Sequence, residues 1–167
     1  MSYKIIGKYI QDLNFRIPNP KTFFLLSKDI SNYKISVDIK SNQIKENIIE
    51  VLTSLSLKPN NNELDKINTK IVFATIVELS NDKIEKDKLE QIVLVDVPSQ
   101  IYGELRRIFV NLFENSGFKD IRISEKLDFK KLYDLKKNQL NFFLSSFFKN
   151  CLWSLISESV IFTISLL

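Results

Sequence analysis

The chain has 167 residues, 44% of them hydrophobic, and a formal net charge of +4 carried almost entirely by lysine, which fits one domain with a real core. It has no histidine, one cysteine (Cys151) and three scattered glycines, which excludes imidazole chemistry, a thiolate zinc site, an internal disulfide and a phosphate-cradling loop. The carboxylates sit in lysine-mixed stretches, as solvated faces do, so the chain reads as a binding protein with no metal and no cofactor rather than an enzyme.

Tyr9 to Ile17 alternates apolar and polar residues, the period of a half-buried strand, with Tyr9, Leu13, Phe15 and Ile17 on one side and Asp12, Asn14 and Arg16 on the other. Pro18-Asn19-Pro20 ends it, because proline donates nothing to a ladder. Lys21 to Asn32 reads as a long connection whose Phe23, Phe24, Leu25 and Leu26 either close over the core or line a surface groove. Ile35, Val37 and Ile39 mark a second strand, Ile49 to Leu57 a third, and Ser41-Asn42-Gln43 the turn between them. Ile67 to Leu79 is a fourth strand, with Ile71, Phe73 and Val77 facing one way.

The clearest helix opens at Pro98, with Ser99 as its N-cap, and closes at Gly117-Phe118. Ile101, Leu105, Ile108, Phe109, Leu112 and Phe113 share its apolar face, and the apolar run Leu89 to Val97 leads into it. Ile121 and Ile123 suggest an extended segment, and Asp128 caps a second helix with Phe129, Leu132, Tyr133 and Leu140 inward. Strands first and helices last give an α+β fold: a four-stranded antiparallel sheet with two main helices packed on one face.

Residues 1–140 form this domain, and 141–167 form an apolar tail whose only charges are Lys149 and Glu158. Phe142 to Ile156 could make a wide helical stripe, whereas Val160 to Ile164 is β-branched. The tail's run from Cys151 to Leu167 is short for a membrane span and carries Glu158, which is costly mid-bilayer. A membrane-embedded end, an extension packed on a partner subunit, an end without fixed structure and a frame-altered terminus all remain open readings. The opening Met1-Ser2-Tyr3-Lys4 lacks a signal peptide's apolar run, and one cysteine fits a reducing compartment, so the expected location is cytoplasmic.

Tyr9-Ile10-Gln11-Asp12-Leu13-Asn14-Phe15, followed by Pro18-Asn19, resembles the first-strand signature of the SecB family of protein-export chaperones. Pro98, Ile101-Tyr102-Gly103 and Arg106 resemble that family's proline-led helix, with Gly103 where members usually carry a second proline. Gly117-Phe118, Ile121, Ile123, Asp128-Phe129 and Leu132-Tyr133 come in the family's order, so the resemblance spans about Ile5 to Lys137. It implies an ATP-independent holdase, a homotetramer built as a dimer of dimers, that binds unfolded precursor proteins in apolar grooves and passes them to the SecA motor.

On that reading the candidate client-binding residues are Phe15, Phe23, Phe24, Leu26, Tyr102, Phe109 and Phe118. Leu105, Ile108 and Leu112 are the candidate oligomer interface, and Asp12 stands where an acidic residue would dock SecA. Arg16 and Lys70 stand at positions that are usually acidic in the family, a charge reversal that weakens such docking. A SecB-like chaperone dedicated to one partner, such as an antitoxin, is a variant of this function. A basic nucleic-acid-binding module is the alternative from another class; it rests on net charge alone, without a dense basic run and interleaved aromatics.

Overall fold

The computed structural model describes residues 3–28, 33–59, 68–80, 84–118, 121, 123–135, 137 and 160–165. Four antiparallel strands make the sheet: β1 (Tyr3–Arg16), β2 (Tyr33–Lys45), β3 (Ile48–Pro59) and β4 (Asn68–Leu79). β5 (Val160–Ser165), from the tail, pairs with β2 and gives the order β1-β4-β3-β2-β5. The β2–β3 turn falls at Glu46-Asn47 rather than at Ser41–Gln43, so both strands are longer than their alternation alone implied. Leu140 and the stripe from Phe142 to Ile156 lie outside the described residues.

One face of the sheet carries the core. Ile35, Val37 and Ile39 of β2 register with Leu57, Leu55 and Thr53 of β3, and these continue to Thr69, Ile71 and Phe73 of β4; all are buried. β1 departs from simple alternation. Register shifts between Ile5 and Gly7 and between Ile10 and Asp12 each insert a residue, which turns the next stretch of strand over to the other face. Leu13 and Phe15 therefore stay on the helix side, opposite Ile71 and Thr69, but Tyr9 aligns with Ala74 on the outer face, the face of Asp12. The expected grouping of Tyr9 with Leu13 and Phe15 is thus corrected by the bulge between them.

Among the described residues, three helices complete the fold. The segment carrying Phe23 to Leu26 is not a loop but α1 (Pro20–Lys28). Asn19 caps it, its Oδ1 accepting the Thr22 N–H at 2.8 Å, and Pro20 takes the first helical position, where a missing N–H costs nothing. The long helix α2 is continuous through α-helical Lys86–Gln91, π-helical Ile92–Asp96 and α-helical Val97–Asn115. The helix therefore starts twelve residues before Pro98, at Lys86. Inside a helix, proline removes one hydrogen bond and crowds the carbonyl four residues back, and the wider π turn just before Pro98 accommodates both effects. Ser99 is accordingly not an N-cap; its hydroxyl donates back to the Val95 carbonyl at 2.5 Å.

The end of α2 is as the sequence predicts. Gly117 has φ 91°, its N–H bonds the Glu114 carbonyl, and the Phe118 N–H bonds the Phe113 carbonyl. The rings of Phe113 and Phe118 then meet at 5.5 Å, completing the six-to-one glycine cap with its apolar contact. Ile121 and Ile123 form no strand; Ile123 is buried and its carbonyl accepts from Arg106 Nε at 2.9 Å. Residues 129–135 form α3, capped by Asp128 Oδ1 on the Lys131 N–H at 2.8 Å, with Phe129 buried in the shared core.

Candidate binding surfaces

Three surfaces stand out. The first is where α1 meets the end of α2. Phe109 and Phe113 meet at a tilt at 5.0 Å, Phe113 meets Phe118, Phe118 meets Phe23 at 4.8 Å, and Phe23 meets Phe24 at 5.7 Å. Phe15 of β1 joins from the sheet, edge-on to Phe113 at 4.9 Å. This ladder of rings runs from the core to water. Phe109, Phe113 and Phe118 are fully buried, Phe15 and Phe23 half-buried, and Phe24 is 62% exposed, with Leu25 exposed beside it. Helical geometry produces this, because Thr22 and Leu26 share the inward face of α1 and Phe24 and Leu25 fall opposite.

The expected client-binding set therefore divides. Phe24 is open, Phe15 and Phe23 are half-open, and Leu26, Tyr102, Phe109 and Phe118 are core residues with no free surface. Tyr102 is buried because its hydroxyl has a partner inside, donating to the Ser124 carbonyl at 2.8 Å while its ring meets Phe129 at 5.9 Å. Burial pushes its pKa up to about 12, against a smaller opposing pull from Arg106. Leu25, one of the four apolar residues read as covering the core or lining a groove but left out of the client-binding set, is placed by the helix beside Phe24 at the surface. Asn19-Pro20, a capping residue followed by a first-position proline, was the signal that could have revealed α1.

The second surface is the helix-side margin of β1. Gln100 Nε2 donates to the Tyr3 hydroxyl at 2.6 Å, Lys8 Nζ meets Glu104 Oε2 at 2.6 Å, and Phe15 meets Phe113, so α2 runs alongside β1 in the same direction. Between the last two contacts β1 carries Ile10 and Leu13, both exposed, and α2 carries Ile108 and Leu112, both half-buried. Of the three expected interface residues, Ile108 and Leu112 keep accessible surface, whereas Leu105 is 0% exposed and belongs to the monomer core. The inward face of α2 claims Leu105 together with Ile101 and Phe109.

The third surface is the outer face of the sheet. Tyr9 donates to Glu50 Oε1 at 2.6 Å across β4, and Asn42 Nδ2 donates to Glu50 Oε2 at 3.1 Å. The bond to the Glu50 carboxylate holds the Tyr9 pKa above its usual value. Lower on this face, Asp12, Arg16 and Lys70 are exposed together, with Lys70 aligned with Asn14 between Asp12 and Arg16. The acidic residue thus shares its face with two cations. Among the described residues no group of side chains could hold a metal ion, and no helix is long and apolar enough to cross a membrane.

A family model described as preprotein translocase subunit SecB matches residues 1–140. The putative protein-export protein SecB of Pelagibacter ubique is 38% identical over 137 residues, which cover 82% of this chain and 98% of that relative. The protein-export proteins SecB of Anaplasma phagocytophilum and Burkholderia lata are 24% and 25% identical, covering 78% and 83% of this chain and 90% and 84% of theirs.

Proposed function

Since this chain belongs to the SecB family of protein-export chaperones, we propose that it holds unfolded precursor proteins on the apolar surface formed by Phe24, Leu25, Phe23 and Phe15. The observation that carries this reading is the ring ladder, whose inner end is packed in the core and whose outer end leaves Phe24 62% exposed. Phe24 and Leu25 are exposed side by side and continue into half-buried Phe23, a contiguous apolar patch of the kind that marks an interaction site, and a platform anchored in the core loses little entropy when it binds.

Each apolar client side chain covered gains roughly 1.5–3 kcal/mol, and each client residue fixed costs about 1–2 kcal/mol. One such platform is therefore weak. Several platforms on one assembly engage a long chain through effective concentration, which favours clients that remain unfolded. Ile10, Leu13, Ile108 and Leu112 supply an apolar margin where copies of this chain would join, consistent with a homotetramer built as a dimer of dimers. The outer sheet face would meet SecA through Asp12, and Arg16 and Lys70 on the same face call for a partner surface with a complementary change of sign. The cytoplasm is where such hand-over takes place.

The test mixes the full-length protein with a slowly folding, signal-bearing precursor. Delayed refolding and co-elution are expected, both weakened by Phe24→Ser/Leu25→Ser. A protein that neither delays refolding nor co-elutes with the precursor is not a holdase.

A further inference from the structure

β3 pairs with one side of β2 from Tyr33 to Lys45. On the other side β5 pairs only with Lys34 to Ile39. That half of the edge holds Ile35, Val37 and Ile39, whereas the uncovered half, from Lys40 to Lys45, is exposed and polar apart from Ile44. The register matches the two patterns. Val160, Phe162 and Ile164 align with Ile39, Val37 and Ile35, and Ile161, Thr163 and Ser165 align with Asp38, Ser36 and Lys34. A slip of one residue would move Val160, Phe162 and Ile164 out of line with Ile39, Val37 and Ile35, leaving Ile161 as the one apolar residue of the strand brought opposite an apolar partner. β5 also lies beyond the residues 1–140 that the family match covers, so it is an addition to the chaperone body.

We propose that the Lys34–Ile39 edge of β2 accepts extended, alternately apolar polypeptide by strand addition, and that Val160–Ser165 is its built-in occupant, displaced when a client segment arrives. This rests on the holding function proposed above. Main-chain pairing at a sheet edge needs no sequence code, only a partner that alternates correctly. A strand tethered to its own edge returns as an intramolecular event, so the apparent affinity for a client falls with the fraction of time the edge is free. The tail thereby sets a threshold: short or poorly matched segments are refused, and long alternating ones are admitted.

The experiment uses the full chain with Cys151→Ser and the pair Ser36→Cys/Thr163→Cys, whose positions face each other in the β2–β5 register. The probe is a labelled, lysine-flanked peptide of sequence Val-Ile-Phe-Thr-Ile-Ser. The oxidised, cross-linked protein should bind it about tenfold more weakly than the reduced protein. Ile161→Pro/Thr163→Pro, which prevents pairing by the tail, should bind it more tightly than the parent. Equal binding in the oxidised, reduced and proline forms overturns the proposal, as does a disulfide that joins two chains in place of one within a chain. Refolding delay, measured in parallel on the reduced protein, separates the two readings. Delay without any effect of the cross-link overturns the exchange and leaves the holding function standing, whereas neither delay nor peptide binding overturns both.

Discussion

The two margins of this sheet meet the same physical problem in opposite ways. An edge strand presents unpaired N–H and C=O groups that invite another chain. At β2 the chain answers with its own tail, pairing β5 along the apolar half of the strand and leaving the lysine-bearing half bare. At β1 it answers with two register shifts, a salt bridge to α2 and a row of exposed residues, Ile6, Tyr9, Ile10 and Leu13. Bulges twist an edge away from flat pairing, so β1 is shaped for side-chain contact along its margin, and β2 for main-chain pairing. Under the two proposals above, β1 is the edge for assembly and β2 the edge for exchange.

The largest expected effect breaks the support that both margins share. Phe113 is fully buried and touches Phe15, Phe109 and Phe118, so Phe113→Ala should lower unfolding free energy by about 3–5 kcal/mol in a denaturant titration. Next comes the comparison itself. Ile10→Lys/Leu13→Lys should lower the solution mass measured by sedimentation while changing monomer stability by less than about 0.5 kcal/mol, and should leave peptide binding at β2 unaltered. Loss of both properties together would show that the margins are not separate.

Gly117→Ala tests the joint between α1 and α2. A Cβ there meets the Phe23 ring at an ordinary 3.7 Å, but the φ of 91° is strained for alanine, so thermal unfolding should report a loss of about 1–2 kcal/mol. Tyr102 supplies a pH dependence. Its folded-state pKa of about 12 lies above the ordinary tyrosine value of 10.0, so its contribution is complete below pH 10 and is lost as pH rises through 12. Tyr102→Phe should flatten that part of the stability profile and cost about 1 kcal/mol at neutral pH. Smallest of all, Lys8→Ala should change stability by less than about 1 kcal/mol, because both partners of the Lys8–Glu104 pair are well exposed.

Much of this is legible in the sequence wherever one residue type has one physical meaning. The alternation of Ile35, Val37 and Ile39, the glycine cap at Gly117-Phe118 and the Asp128 cap each appear in the structure where the sequence places them. The two prolines that mislead do so for one reason. Pro20 reads as the end of a strand and Pro98 as the start of a helix, whereas Pro20 opens α1 and Pro98 lies within a helix that widens ahead of it. Proline's meaning depends on whether its missing N–H was needed, and the neighbouring turn decides that. The binding set is the least legible part. Leu26, Tyr102, Phe109 and Phe118 look the same in sequence as Phe24, and only packing separates the four that are buried from the one that is open.

By itself the order of apolar and polar residues determined the α+β class, the four strands and the identity of the main helix, because period and capping chemistry are local. Tertiary structure alone decided the face taken by Tyr9, the burial of Leu105 and the pairing of Val160–Ser165 with an edge more than a hundred residues away. Each of those depends on which distant surface arrives opposite, and a bulge of one residue is enough to change the face a strand residue takes.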